Sequence, residues 1–453
     1  MSHVIAAVST GSQISAIGIL RLSGDGCADV AGKVFTLQCG LPLAEAPNRK
    51  LMLGNLQDKQ GRTIDTCMAV YTRGPHSYTG EDTVEIQCHG SPAVLAAGLE
   101  SLYLAGAQPA QRGEFTKRAF MNGQLALTQA EAVIDLIEAE TADAAANAAG
   151  QVGGVLQKKL SPIYHDLTDL CSHFHAVLDY PDEDIDDFDL NSYRATLRSA
   201  GKSLYALLQT YGQGQILKRG VCAAIVGKPN VVKSSLLNAM AGYERVIVTE
   251  IAGTTRDTVE ETVMLGKTRL RVIDTAGIRD TDDRIEAMGV ERSTDAAKHA
   301  DLVIFVCDGS QALSPEDHRV IDVCLDAEKS IALINKSDLP QKTLPSDLPF
   351  TFVIPICAQT GEGLEQLADV VEEMFVGESP CDGSILTNAR QFDAIRRAYE
   401  AILRAMQNLM LGLTPDAVLT DVEEAMNAMG EVTGAIVRED ITARIFERFC
   451  VGK

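Results

Sequence analysis

Gly227-Lys228-Pro229-Asn230-Val231-Val232-Lys233-Ser234 is the stretch on which the reading of this chain turns. It follows the apolar run at residues 221–226 and precedes a segment with helical character. A turn in that position presents a row of backbone N–H groups at a helix N-terminus. There the free donors and the helix dipole both favour an anion. Lys233 would supply an ammonium for terminal phosphates, and Ser234 a hydroxyl for Mg²⁺. The pattern asks for glycine at position 232, where this chain has valine. Glycine there takes φ > 0 easily and lets the backbone approach a phosphate, whereas a β-branched residue at φ > 0 is an outlier.

Four further motifs follow in order. They are Gly253-Thr254-Thr255-Arg256-Asp257, Asp274-Thr275-Ala276-Gly277, Asn335-Lys336-Ser337-Asp338 and Cys357-Ala358-Gln359. Asp274 follows the run at 270–273, so its carboxylate stands at a strand's C-terminal end, in reach of a hydrated Mg²⁺, and Gly277 leaves room for a γ-phosphate. Asp338 follows the run at 331–334. A carboxylate there accepts two hydrogen bonds from N1 and N2 of guanine, which adenine cannot offer. The backbone of Cys357, Ala358 and Gln359 would meet guanine O6. The motif set therefore predicts GTP as ligand. Beside those already named, Ser235 joins the expected nucleotide contacts. Many GTP hydrolases orient water with a glutamine just after the third motif. Here that position is Ile278, and no arginine finger is visible, so another group must supply charge and position water.

Around these motifs the runs at 221–226, 270–273, 302–306, 331–334 and 352–356 alternate with helical segments, which predicts a mainly parallel sheet covered on both faces. Residues 216–378 form this expected nucleotide domain. Residues 1–120 read as mixed α/β. They show strand-like runs at 4–8, 16–22, 66–71 and 83–87, a hairpin tip at Lys59-Gln60-Gly61, and helical spacing over 92–105. Residues 121–215 read as helical. Thr128 and Glu131 have capping-box spacing. Ala130, Val133, Ile134 and Ile137 then form a stripe. Leu160, Ile163, Leu167, Leu170, Phe174 and Val177 mark a long amphipathic helix that Tyr180-Pro181 should end. Residues 379–453 return to helix, with Phe392, Ile395, Tyr399, Ile402, Met406 and Met410 on one face. The fold class expected is a multidomain α/β protein, its nucleotide domain inserted into a helical domain.

The 453 residues carry a formal charge of −22, which argues against broad nonspecific binding of nucleic acid. Hydrophobic residues at 46% and charged residues at 23% are ordinary for a globular protein. No signal peptide or membrane span is expected. The eleven cysteines are scattered without a C-x-x-C pair, as suits a reduced, cytoplasmic location. His173 and His175 stand two apart on a helix and cannot chelate together. The acidic run at 182–189 reads as a solvated loop. Cys450 reads as packing or as lining for a ligand site.

The motifs resemble the bacterial MnmE (TrmE) family of tRNA-modification GTPases over essentially the whole chain. Beyond the nucleotide motifs, the resemblance rests on Gly18-Ile-Leu-Arg21, Tyr78-Thr-Gly-Glu-Asp82, Gly113-Glu-Phe-Thr-Lys-Arg-Ala-Phe120, Leu127-Thr-Gln-Ala-Glu-Ala132 and the terminal Phe449-Cys-Val-Gly-Lys453. The resemblance implies a K⁺ ion in place of an arginine finger, with Asn230, Thr249, Ile251 and Thr254 as ligands, and it counts Thr249, Glu250, Ile251 and Ala252 among the nucleotide contacts. It places Thr255 beside Ser234 on Mg²⁺, and makes Glu286 the group that orients attacking water through a second water. It implies a homodimer and a tetrahydrofolate-binding N-terminal domain with Arg21, Glu85 and Lys453 at the folate. Gln124 stands where the family has a further lysine. A flavin-dependent partner (MnmG) would act with it on C5 of the wobble uridine of tRNA, with no membrane involved. Two other readings stay open: a dimeric folate- and partner-binding scaffold weakened at the nucleotide by Val232, or a ribosome-assembly GTPase. Left-handed strain at a β-branched residue is about 1–2 kcal/mol. Val232→Gly should therefore tighten GTP binding about tenfold or more, at 1.4 kcal/mol per decade. Titration of both chains with GTP checks this, and equal affinities would remove the strain argument.

Overall fold

The computed structural model describes residues 3–11, 13–179, 190–228, 233–243, 261–273, 297–375, 377, 380–434 and 445–453. Two compact units divide the chain. One comprises residues 1–138, 148–204 and 393–453, the other residues 139–147 and 205–392.

In the first unit, alternating side chains build one sheet. Its strands are β1 (Ile5–Val8), β2 (Ser15–Ser23), β3 (Phe35–Leu37), β4 (Met52–Gln57), β5 (Thr63–Thr72), β6 (Thr83–Gly90) and β7 (Gln108–Pro109). They lie in the order β3-β4-β5-β6-β2-β1-β7, antiparallel throughout except for β1 against β7. Leu20, Leu22, Leu56 and Ile86 point to one face and meet Leu95 and Leu102 of the helix Pro92–Leu104. Short β-rich runs between turn signals made β1, β2, β5 and β6 visible in the sequence, and the turn residues themselves marked the tip at Gly61. They missed β3 and β4. The β4 segment holds Gly54-Asn55, a turn signal. In the fold the Phe35 ring takes the place of a side chain at Gly54, where a Cβ would lie 2.4 Å from Phe35 Cε1.

The helices of this unit largely follow the apolar stripes. The helix Val155–Asp179 buries Leu160, Ile163, Leu167, Leu170 and Phe174. It packs on Pro415–Thr433, where Cys171 Sγ lies 3.4 Å from Met426 Sδ. His173 meets Tyr193, and His175 meets Glu423 instead. On the helix Ala389–Met410 the apolar face is buried at Ile395 and Ile402 but exposed by Met410. Thr128 and Glu131 do not form the expected capping box. The helix begins two residues earlier, at Leu127, and the Ala126 N–H donates to Gln129 Oε1 at 2.9 Å. Thr128 is thereby inside the first turn, its hydroxyl buried without a partner among the described residues. Tyr180-Pro181 and the acidic run lie outside the described residues.

The second unit carries the other sheet: β8 (Val221–Val226), β9 (Glu261–Leu265), β10 (Thr268–Ile273), β11 (Leu302–Asp308), β12 (Ser330–Asn335) and β13 (Val353–Pro355). The order is β13-β12-β11-β8-β10-β9, parallel except for β9, which turns back on β10 through Gly266. Strand β9 was not read from the sequence. Its Glu261-Thr-Val-Met-Leu265 is too short and polar to stand apart from its surroundings. Central strands are apolar on both sides. Val221, Ala223 and Ile225 join Leu302, Ile304 and Val306 on one face, under Leu236, Met240 and Leu367. Ala224 and Val226 join Val303, Phe305 and Cys307 on the other, under Val320, Ile321 and Cys324. This two-sided burial is what a parallel sheet requires. Leu333 is fully buried two residues before Asn335. Leu333→Ala should destabilise this unit by about 2–5 kcal/mol. Urea unfolding followed by circular dichroism should show a lower midpoint.

Candidate guanine-nucleotide site

Strand β8 lies between β10 and β11, on which the chain order diverges to either side. Loops following strands at such a switch point open a crevice at their C-terminal ends. Gly227 leaves β8 there. A Cβ on it would fall 2.4 Å from the Val306 carbonyl oxygen of β11, so the first loop residue must be glycine. Lys228 Nζ pairs with the buried carboxylate of Asp317 at 2.7 Å. Lys233 and Ser234 open the helix Lys233–Tyr243, and Ser235 follows in its first turn. Asn230, Val231 and Val232, residues 249–255, Asp274 through Gly277 and Glu286 lie outside the described residues.

The segments that carry the fourth and fifth motifs lie within the described residues. Asn335 ends β12 and is 1% exposed. Its side-chain oxygen accepts from the Lys336 N–H at 2.8 Å and the Ala358 N–H at 3.1 Å. One carboxamide therefore ties the end of β12 to the loop after β13. Its Nδ2 is buried without a partner among the described residues. The Cys357 thiol donates to Asp338 Oδ1 at 3.4 Å. The Ser337 N–H donates to the Ile356 carbonyl at 3.0 Å. The Cys357 carbonyl accepts from Gly361 N–H at 2.9 Å, which curls the Cys357-Ala358-Gln359 segment over Asp338. The fold thus gathers Asn335, Lys336, Asp338, Cys357 and Ala358 at one edge.

Lys336 sits at φ 64, an uncommon value for a residue with a side chain. Its ammonium donates to Asp308 Oδ2 at 2.6 Å. Asp308, at the end of β11, also accepts from Ser310 N–H and Oγ–H. Burial pushes the Asp308 carboxyl up, but the Lys336 ammonium and the Ser310 donors outweigh it and hold the carboxyl below 3.8. Sequence reasoning missed Asp308. Its only signal was an acid at the end of an otherwise apolar strand.

The first unit holds a second cluster. Arg21 on β2 faces Glu85 on β6, and Arg21 Nε donates to Glu85 Oε1 at 2.8 Å. Its guanidinium lies 5.8 Å from the Tyr78 ring centroid and 5.7 Å from that of Phe115. Tyr78 is set by a hydrogen bond between its hydroxyl and Thr116 Oγ1 at 2.9 Å. The loop behind it is held by Ser23, which donates to Glu81 Oε2 at 2.8 Å, and by Arg118, which donates to the same oxygen at 2.8 Å. Gly80 turns this loop at φ 77, and a Cβ there would meet Asn122 at 2.9 Å and Gln124 at 3.2 Å. The C-terminal tail closes on the same sheet. Arg112 bridges Val451, Gly113 N–H donates to the Cys450 carbonyl at 3.3 Å, and Ser9 Oγ donates to the Gly452 carbonyl at 2.9 Å. Lys453 thereby ends next to the β1 terminus, while Ala7 of β1 is the register partner of Arg21. Nothing in the sequence marks Tyr78 and Phe115 beyond their motifs; the rings' place against Arg21 is a tertiary fact.

The model of the MnmE helical domain matches residues 127–450, and that of the GTP-binding protein TrmE N-terminus matches residues 4–124. A tRNA modification GTPase MnmE of Clostridioides difficile (strain 630) is 39% identical over 459 residues, covering 100% of both chains. The chain belongs to the MnmE family of tRNA modification GTPases. A second MnmE, of Alkaliphilus metalliredigens (strain QYMF), is 38% identical over 465 residues, again with 100% of each chain. A solved structure of Era in complex with MgGDPNP and a piece of 16S ribosomal RNA is 26% identical, covering 40% of this chain and 66% of that one. Its TM-score of 0.27 is too low to support an argument. In this MnmE-family chain no helix among the described residues is long and apolar enough to cross a membrane.

The Asp308–Lys336 pair gives a pH signature. The folded-state carboxyl lies below its unfolded value, so its contribution is present above about 3.8. It is lost as pH falls through the lower folded value. Unfolding free energy measured against pH should show the chain more stable than Asp308→Asn at neutrality, the two converging below that window.

Proposed function

We propose that this chain is a K⁺-stimulated GTP hydrolase that acts with a flavin-dependent partner, MnmG, to modify C5 of the wobble uridine of tRNA. The observation that carries the GTP reading is the edge formed by Asn335, Asp338 and Cys357. A carboxylate held at Cys357 can accept from guanine N1–H and N2–H, and the unpartnered Asn335 Nδ2 can donate to a ring nitrogen of the base. Adenine has neither an N1–H nor a 2-amino group, so it would offer Asp338 neither donor. Full-length membership of the MnmE family supports tRNA modification as the setting.

Each role falls to a residue of the motifs. Lys233 would hold the terminal phosphates, and Ser234 and Thr255 would hold Mg²⁺. Asn230, Thr249, Ile251 and Thr254 would hold K⁺. Bound there, these cations supply positive charge against the charge that grows on the phosphate oxygens. Glu286 orients water, a role Ile278 cannot fill. The backbone of residues 250–253 and of 275–277 follows the phosphates, and Gln359 flanks the base.

The same reading assigns Arg21, Glu85, Gln124 and Lys453 to a one-carbon tetrahydrofolate. Arg21 is the cation for a folate carboxylate, and Glu85 an acceptor for pterin N–H groups. The Arg21–Glu85 pair and the flanking Tyr78 and Phe115 rings suit a flat, polar ring. The protein works as a homodimer in the cytoplasm.

GTP turnover measured in KCl and in NaCl tests this reading. Turnover is expected to be faster in KCl, and Asp338→Asn should weaken GTP binding about tenfold to a hundredfold, since a hydrogen bond to a charged group contributes about 1.5–3 kcal/mol. Equal rates in both salts would remove K⁺ from the mechanism. No turnover in either would favour a folate- and partner-binding scaffold.

A further inference from the structure

Strands β5 and β6 bring three metal-ligating side chains to one place outside both clusters described above. Met68 pairs with Gln87 in their antiparallel register, and one step further along sets Cys67 opposite Cys88. Asp65 precedes Cys67 by two residues and so shares its face of the sheet. One ligand atom from each of Asp65, Cys67 and Cys88 lies within 4.8 Å of the others. We propose that these three residues bind a thiophilic divalent cation of the zinc class.

The sulfur spacing suits that occupant. Zinc–thiolate bonds of about 2.3 Å at a tetrahedral angle set two sulfurs about 3.8 Å apart. Cys67 Sγ and Cys88 Sγ stand 3.9 Å apart. A disulfide would need them to close to about 2.05 Å. Two thiols and a carboxylate form a mixed soft and hard donor set of the kind zinc accepts.

The surroundings are built as metal sites are. Cys67 pairs laterally with Gly54, and Cys88 with Gly18. The Phe35 ring occupies the space over Gly54, and Leu95 the space over Gly18. Apolar groups therefore wall the sulfurs on both sides. The carboxylate end is wetter and is held in place. Asp65 Oδ1 lies 2.8 Å from His89 Nδ1, and Oδ2 accepts the His89 backbone N–H at 2.8 Å. An ionised carboxylate has further lone pairs to give a cation. Ligating carboxylates in metal sites are themselves hydrogen-bonded, as Asp65 is by His89. The Asp65 side chain is 10% exposed and that of His89 75% exposed, so a cation and a fourth, water ligand can enter from the His89 side.

Cobalt(II) is a direct probe, because thiolate ligation gives a near-ultraviolet charge-transfer band and tetrahedral geometry an intense visible band. The full-length, reduced chain carrying Cys39→Ser and Cys450→Ser removes the two exposed thiols. It should show both bands, saturating at one Co²⁺ per chain and bleached by one equivalent of Zn²⁺. Adding Cys67→Val and Cys88→Val should abolish the charge-transfer band. Asp65→Asn, at the rim and outside the core, should keep the fold by circular dichroism and weaken Co²⁺ binding at least tenfold. The proposal is overturned if no charge-transfer band forms. It is equally overturned if the band survives the double valine change, or if Asp65→Asn binds Co²⁺ as tightly as the parent.

Discussion

A single carboxamide ties together the two loops at the end of β12 and β13. Asn335 lies buried at the last position of β12 and reaches two backbone N–H groups, one on its own loop and one on the loop after β13. Those loops carry Asp338 and Cys357, which then meet through a thiol–carboxylate hydrogen bond. A buried side-chain oxygen with two N–H partners is strongly held, because leaving those donors unpaired would cost about 1–3 kcal/mol for each. The depth of Asn335 follows from the sheet. Two-sided burial of β11 and β12 fixes the strand ends, and the register of Asp308 with Asn335 puts the Lys336–Asp308 pair beside them. The edge that carries Asp338 is thus a consequence of sheet register more than of loop sequence.

The N-terminal sheet solves a different problem. Arg21 and Glu85 face one another across β2 and β6, one cationic and one anionic group at a half-buried place. Tyr78 and Phe115 come from separate segments to flank the guanidinium, and the loop bearing Tyr78 is braced by Ser23, Glu81 and Arg118. The last residues of the chain add to the same sheet through Arg112, Gly113 and Ser9. Segments distant in sequence thereby converge on Arg21.

Period and spacing made much of this legible. The strands β8, β10, β11, β12 and β13 are apolar runs bounded by polar turns, and the motifs follow them directly. Elements whose sequence contradicts their role were not legible. Gly54 weakens the β4 signal because the residue that fills its space, Phe35, is elsewhere in the chain. Strand β9 is a polar edge strand with no apolar run to announce it. The start of the helix at Leu127 was misjudged because Thr128 and Glu131 have the right spacing, yet Gln129 makes the bond to Ala126.

The order of the motifs, the guanine preference read from Asp338 and the alternation of strand and helix belong to the linear chain, since each depends on residue type and short-range spacing. Pairings across the sheets belong to the folded molecule. Asp308 with Lys336, Arg21 with Glu85 between two rings, and Cys67 beside Cys88 all join residues whose nearness is set by strand register. Register depends on which apolar faces find one another in the core, and no local spacing encodes that choice.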